Sequence, residues 1–333
     1  MYEPFFGLRE RPFDLTPTPR FLVLTDAHRE ALRNLEYGIA SRKGITLLVG
    51  EAGSGKTTVI RAAVETQPVR VHCVHLNNPT LSREEFIEML TAKFGLSREA
   101  ATSKTRMLVE LEALLTARRT AGETTVLIVD EAQSLPLELL EEIRLLSNIE
   151  TDDEKLLSVI IAGQPELADR LNEQALRQFK QRVSLRCMLG SLSRAETETY
   201  IRGRIQAAGG SGADVFTAEA MALVHEGARG LPRTINVIAD NALLGGFAAG
   251  RRPVDGAIVR EVCGDFDIPL SVPSASPARP AAATPAPAAA PGTARLLPVE
   301  APTPVLDAST TTSEGKMFDT FTPKRRRFSF FWN

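Results

Sequence analysis

The sequence has 333 residues, 43% of them apolar and only 6% aromatic, which is length for about two domains and enough apolar content for a sizeable core. Its 39 Lys and Arg against 41 Asp and Glu give a net charge of −2, which argues against a wholesale nucleic-acid coat and against a disordered polyelectrolyte, though not against a local patch. Seven Lys/Arg against four Asp/Glu give residues 269–333 a charge of +3 and leave residues 1–268 at −5.

Residues 1–24 are expected to be an irregular arm, broken by Pro4, Pro12, Pro17 and Pro19, with Phe5, Phe6, Phe13 and Phe21 packing it onto a core, the alternative being contact with adenine. The spacing predicts a helix from Asp26 to Ser41, with Leu32, Leu35 and Ile39 on one face. Ile45–Val49 is a short apolar run ending in Gly50, the pattern of a parallel strand buried on both faces. A Gly-rich turn and a helix to Glu65 follow, then a β-branched strand over Val69–Leu76. Ser82 and Glu85 form a capping box for a helix that Gly95 ends. Leu108, Leu111 and Leu115 mark another helix, closed by Gly122. Val126–Val129 is a third buried strand, Leu137–Ile149 a helix, Leu156–Ala162 a fourth strand and Val183–Leu189 a fifth. Strands alternating with helices of this length imply right-handed βαβ units and an α/β fold on a parallel sheet.

After Gly190 the pattern turns helical. Ser193 and Glu196 form a second capping box, and helices are expected over Arg194–Ala208, Ala218–Ala228, Arg233–Phe247 and Val254–Val262. From Asp267 the composition shifts again, with nine prolines between Pro273 and Pro304 among runs of Ala. Such a segment buries too little apolar surface to offset its ordering entropy and reads as a disordered linker. The last residues regain character: Lys324, Arg325, Arg326 and Arg327 abut Phe328, Phe330, Phe331 and Trp332.

Cys73, Cys187 and Cys263 sit far apart, with no CxxC pair and no Cys/His cluster, so a structural zinc site is not expected and a reducing compartment is. His28, His72, His75 and His225 show no ligand spacing and read as structural. The start, MYEPFFGLRERPF, has acids and prolines where a signal peptide needs a basic end and an apolar run. The longest apolar stretches, such as Leu156–Gly163, are strand-sized. A cytoplasmic location is expected, with any membrane contact peripheral, at the inner membrane.

Gly50-Glu51-Ala52-Gly53-Ser54-Gly55-Lys56-Thr57, with Thr58 next, fits G-x-x-x-x-G-K-[ST] between a buried strand and a helix. The glycines let backbone N–H groups turn inward around phosphate oxygens, the helix behind offers its positive end, Lys56 supplies a point charge and the Thr57 hydroxyl ligates Mg²⁺. Val126–Val129 leads into Asp130 and Glu131: Asp130 is placed to hold the Mg²⁺ water shell and Glu131 to polarise the attacking water. ATP and Mg²⁺ are therefore the expected cofactors.

The opening FFGLRERPFDLTPTPRF, His28 with LRNLEYGI, the phosphate loop, Val129-Asp130-Glu131-Ala132-Gln133 and Gly163-Gln164-Pro165-Glu166-Leu167 resemble the ExeA/GspA-type AAA+ ATPases over roughly residues 1–265. These are general-secretion-pathway proteins with relatives encoded beside pilus and exopolysaccharide-export systems. The resemblance implies a three-layer AAA+ core over residues 25–190, a small all-helical lid over 191–267, the linker over 268–315 and a basic-aromatic docking tail over 316–333. It also implies that Gln164 is a polar sensor near the γ-phosphate and that Arg233, after Gly230-Leu231-Pro232, is a second sensor on a lid helix. Arg182 falls where an arginine finger reaches into a neighbouring subunit, with Arg177 and Arg186 as nearby alternatives; Asn77 either restrains Glu131 until a partner binds or simply ends its strand in a turn. Secretion members continue into a transmembrane helix and a periplasmic peptidoglycan-binding part. Here the linker and tail follow instead, which favours the relatives linked to polysaccharide export.

The first functional expectation is a hydrolytic AAA+ ATPase that forms nucleotide-dependent homo-oligomers and drives assembly or regulation of an envelope export complex, held to a membrane-embedded or membrane-associated partner by its tail. The alternative is a DNA-acting ATPase of the TnsC/MuB or origin-recognition kind, against which the −5 charge of residues 1–268 weighs. A nucleotide-gated scaffold with little turnover is a third, against which the intact Lys56, Asp130 and Glu131 weigh.

Overall fold

The computed structural model describes residues 1–15, 21, 23–76 and 81–270. The expected role of Asn77 and those of the linker and tail from residue 271 onward lie outside the described residues.

The arm is not wholly irregular: Glu3–Phe6 forms a helical turn, α1. Thr25 caps α2, Asp26–Ala40, by accepting the His28 N–H, and Ala31, Leu35 and Ile39 lie on its buried face. Strand β1, Ile45–Gly50, is buried at every position, and α3, Lys56–Glu65, follows. Strand β2, Val71–Leu76, starts two residues later than the β-branched run suggested, because pairing with the next strand begins only at Val71 opposite Thr124. The Ser82–Glu85 capping box opens α4, Arg83–Phe94. The helix read around Leu111 is preceded by a short one, so that α5, Arg98–Thr102, and α6, Lys104–Thr120, share Ser103 as the residue between them.

Strand β3, Thr124–Val129, leads through a 3₁₀ turn at Ala132–Ser134 to α7, Leu137–Leu146. This helix stops short of Ile149, where the backbone tightens: the N–H groups of Asn148 and Ile149 bond the carbonyls three residues back, Leu145 and Leu146, at 3.1 and 3.2 Å. Strand β4, Ser158–Gly163, is followed by two short helices that the periodicity did not reveal, α8, Pro165–Arg170, and α9, Arg177–Gln181, before β5, Val183–Leu189. Five helices complete the described chain: α10 Arg194–Ala207, α11 Gly212–Val215, α12 Ala218–Ala228, α13 Pro232–Ala248 and α14 Gly256–Asp265.

The five strands form one parallel sheet in the order β2-β3-β4-β1-β5, so β4 lies between β1 and β3. Register pairs Val49 with Gly163 and Val129 with Ile161, which gathers the ends of β1, β4 and β3 at one edge. One apolar core lies between the sheet and α4–α9, and includes Phe86, Leu90, Leu111 and Phe179. Another lies on the opposite face against α2 and α3, with Leu35, Ile39, Val59 and Ile60. A third belongs to α10–α14.

The arm joins this third core, not the sheet: Tyr2, Phe6, Leu8, Phe13 and Phe21 are buried among residues of α10–α14. Its fastening is Arg204 of α10, only 6% exposed. The guanidinium donates to the Pro12 carbonyl at 2.5 Å, to Tyr200 Oη at 2.7 Å and to the Asp14 carbonyl at 3.3 Å. It lies 5.2 Å from the Phe21 ring centroid, 5.6 Å from that of Tyr200 and 6.0 Å from that of Phe13, within cation–π range. Replacing Arg204 by Met keeps the apolar stem and strands the two arm carbonyls. Arg204→Met is therefore expected to cost about 1–3 kcal/mol in urea unfolding and to expose the arm to limited proteolysis; a wild-type midpoint with a wild-type cleavage pattern would show that the arm is fastened elsewhere.

Candidate nucleotide site

From Gly50 the chain turns through Glu51–Gly55 into α3. Gly53 and Gly55 have φ of +81° and +97°, where a side chain is strained, and a Cβ on Gly53 would lie 2.5 Å from the Arg233 Cβ. The loop is fastened on three sides. The Arg233 N–H donates to the Gly53 carbonyl at 3.1 Å. His28 Nε2 lies 3.0 Å from the Ser54 carbonyl, and its Nδ1 lies 2.7 Å from Thr25 Oγ1. A carbonyl needs a donor, so the proton of this imidazole sits on Nε2; burial lowers its pKa and favours the neutral ring. Lys56 Nζ donates to the carbonyls of Gly50 at 2.8 Å and Glu51 at 3.0 Å. Burial pushes the Lys56 pKa down, while Glu131, Asp130 and Glu51 favour its charged form.

Thr57 Oγ1 donates to Asp130 Oδ2 at 3.0 Å, and the other oxygen, Oδ1, accepts the Glu131 N–H at 2.9 Å. Glu131 itself adopts the left-handed conformation, φ 53° and ψ 36°, at the head of the 3₁₀ turn. Its Oε2 accepts from Gln133 Nε2 at 2.6 Å and from Gln164 Nε2 at 3.1 Å. Burial raises the Glu131 pKa, but the two amides and the charge of Lys56 outweigh it and hold the carboxyl below its ordinary value.

A cavity of about 340 Å³ opens above the loop, within the range of small-molecule sites. Gly53, Gly55, Lys56, Thr57, Thr58 and Glu131 line one side; Arg233 and Asn236 of α13 and Tyr200 and Arg204 of α10 line another; Asp14, Leu15, Phe21 and Val23 bring the arm to it. Phe21 is thus both a buried arm residue and part of the cavity wall. A smaller space of about 260 Å³ adjoins Thr57, Asp130 and Glu131 on the side of His75. Among the described residues no group of three or more His, Cys, Asp or Glu is arranged to hold a metal by itself. The Thr57 hydroxyl and the Asp130 carboxylate are hard oxygen donors that suit Mg²⁺, which takes one or two protein oxygens and completes its shell with water and phosphate.

Of the residues named from the sequence, Lys56, Thr57, Asp130, Glu131, Gln164 and Arg233 come together around this loop and its cavity. Arg182 does not: it caps α9 on the surface, outside the cavity of its own chain, with Arg177 and Arg186 also exposed. His28, read as structural, braces the loop. Two features went unread: Arg204 and Tyr200 wall the cavity, and Gln133 bridges Glu131 and Gln164, although it stands inside the quoted Val129–Gln133 motif.

Residues 39–171 match a protein family described as an AAA domain. The chain is 39% identical over 254 residues to general secretion pathway protein A of Aeromonas hydrophila, covering 76% of this chain and 46% of that relative, so it spans about half of the relative's length. Its fold is similar to that of the Aeropyrum pernix ORC2 protein, with TM-score 0.59 and 19% identity over 77% of this chain and 71% of that one. It is also similar to Cdc6p of Pyrobaculum aerophilum, with TM-score 0.56 and 14% identity over 76% and 70% of the two chains. At those identities the likeness shows the fold alone. Sequence and architecture agree, and across the three quarters of its length that align this is a chain of the ExeA/GspA-type AAA+ family.

Proposed function

We propose that this chain binds ATP with Mg²⁺ in the cavity above its phosphate loop, hydrolyses it, and couples the cycle to assembly or regulation of an envelope secretion, pilus or exopolysaccharide-export system. The observation that carries the chemistry is the convergence of Thr57, Asp130 and Glu131: a hydroxyl and a carboxylate 3.0 Å apart, with a second carboxylate on the next residue. The link to export rests on the relative named for the general secretion pathway. In this reading residues 25–190 form the nucleotide-binding unit, residues 191–267 the lid, and the tail at 316–333 docks the ATPase to a membrane-embedded or membrane-associated partner.

The loop residues 50–58 would cradle the phosphates. Thr57 and Asp130 would hold Mg²⁺, which supplies positive charge to the phosphate oxygens when bound. Lys56, with three N–H donors and two loop carbonyls for support, turns its charge to the same oxygens. Glu131, kept ionised by its amide neighbours, orients the attacking water and takes its proton. Gln164 and Arg233 reach toward the γ-phosphate from the sheet and from α13. Arg182, exposed at the end of α9, would complete the site of a neighbouring copy in a homo-oligomer.

Lys56→Ala is expected to abolish nucleotide binding in a titration with fluorescent ATP. Glu131→Gln is expected to keep ATP bound and lose roughly 10²-fold or more in turnover. Wild-type hydrolysis by Glu131→Gln would remove the proposed base. The same assay with and without duplex DNA at fixed salt tests the DNA-acting alternative, for which no stimulation is expected.

Arg182→Ala is expected to bind ATP normally and to hydrolyse it more slowly, by up to roughly 10³-fold. Mixing it with Glu131→Gln should restore part of the activity, because some interfaces then pair an intact arginine with an intact carboxylate. No recovery at any ratio, with mixed assemblies confirmed, would count against a finger at Arg182. Deletion of residues 316–333 should leave hydrolysis unchanged and release the protein from host membranes; equal co-sedimentation of the truncated and full-length chains would end the tether idea.

A further inference from the structure

Gln133 occupies an unusual position for a residue with no place in the chemistry above. Its Nε2 donates to Glu131 Oε2 at 2.6 Å, and its Oε1 accepts the backbone N–H of Gln164 at 3.1 Å. A carboxylate demands a donor and an N–H demands an acceptor, so the two partners fix which end of the amide faces which. Gln164 Nε2 donates to the same Glu131 oxygen at 3.1 Å, which closes a ring of three residues drawn from the ends of β3 and β4. The backbone carbonyl of Gln133 is held in turn by the guanidinium of Arg170, at the end of α8. Gly163 gives the amide its room: a Cβ there would lie 2.9 Å from Gln133 Oε1 and 2.6 Å from Leu167 Cδ2.

We propose that Gln133 is a positioning residue for hydrolysis, an amide clamp that fixes the Glu131 carboxylate against the end of β4 and links its orientation to that of Gln164. The proposal rests on Glu131 being the base. Both amides fall on Oε2, so neither competes for Oε1, the oxygen left to meet water. Amides are suited to this task because they donate without carrying charge: the carboxylate is oriented by two neutral donors on one of its oxygens. Because Gln133 bonds the Gln164 backbone while the Gln164 side chain bonds Glu131, a shift of Gln164 on meeting a phosphate oxygen is transmitted to the base through two hydrogen bonds at once.

The test uses the full-length chain in single-turnover hydrolysis with saturating Mg²⁺ and ATP, with nucleotide affinity measured separately. Gln133→Met preserves length and packing and removes both hydrogen bonds. It is expected to leave nucleotide affinity within about twofold and to lower the rate roughly 10- to 100-fold through misorientation. Gln133→Glu keeps the acceptor for the Gln164 N–H and loses the donor to Glu131; it is expected to lower the rate with nucleotide affinity likewise within about twofold, and it serves if the Met variant does not fold. A wild-type rate in either folded variant overturns the clamp, as does a loss of nucleotide affinity that accounts for the whole fall in rate. Glu131→Gln run in parallel separates the two ideas: if it is inactive while Gln133→Met is normal, the base stands and the clamp fails, and if it is fully active the base fails and the clamp falls with it.

Discussion

The 3.0 Å hydrogen bond from Thr57 to Asp130 joins two residues that no local rule brings together, and the site is arranged around it. Thr57 belongs to the helix after β1 and Asp130 to the end of β3, yet β1 and β3 are not neighbours. With strands about 4.8 Å apart, inserting β4 sets them roughly 10 Å from each other. The first turn of α3 spans that gap, and the end of β4 falls beneath it. This is why Gln164, rather than a residue of β1 or β3, meets Glu131. The sheet order thus fixes three participants together: a loop that turns over β1, carboxylates at the tip of β3, and an amide from the strand between.

Electrostatics reinforces the arrangement. Lys56 is buried at the foot of the loop, where desolvation works against its charge, and the nearby carboxylates work to retain it. Glu131 shows the converse, with burial opposed by two amides and by Lys56. Each group favours the charged form of the other, so the loop and the tip of β3 are coupled through charge as well as through the Thr57–Asp130 bond. His28 adds a neutral contact: a polar side chain that steadies the Ser54 carbonyl without altering the charge balance of the cavity.

The cavity also joins parts of the chain with different cores. Its floor is the loop after β1, the first turn of α3 and Glu131, while Tyr200, Arg204, Asn236 and the arm residue Phe21 belong to the core of α10–α14 or lie against it. Tyr200 Oη, which accepts from Arg204, donates to Asn236 Oδ1 at 3.0 Å, so a line of hydrogen bonds runs from the arm carbonyls through α10 to α13. On α13, three residues before Asn236, the Arg233 N–H meets the phosphate loop at Gly53. Arm, helical unit and loop are therefore in contact through polar groups in and beside the cavity.

Much of the fold was legible in the sequence because its signals are local. Capping boxes at Ser82 and Ser193, the buried runs of β1, β3 and β4, and the glycines of the phosphate loop each follow from a few consecutive residues. Lys56, Thr57, Asp130 and Glu131 were legible for the same reason, since each stands at a fixed offset from a strand end. What the sequence could not determine depends on register and on which surfaces meet. The start of β2 is set by its partner, α8 and α9 are too short to show a period, and the arm's phenylalanines are apolar enough to suit any of the three cores. Gln133 and Arg204 make the point at single side chains. An amide after an acidic pair and an arginine on a helix are ordinary in sequence, and only the tertiary structure, by setting Gln164 opposite one and the carbonyls of Pro12 and Asp14 opposite the other, decides what their hydrogen bonds hold.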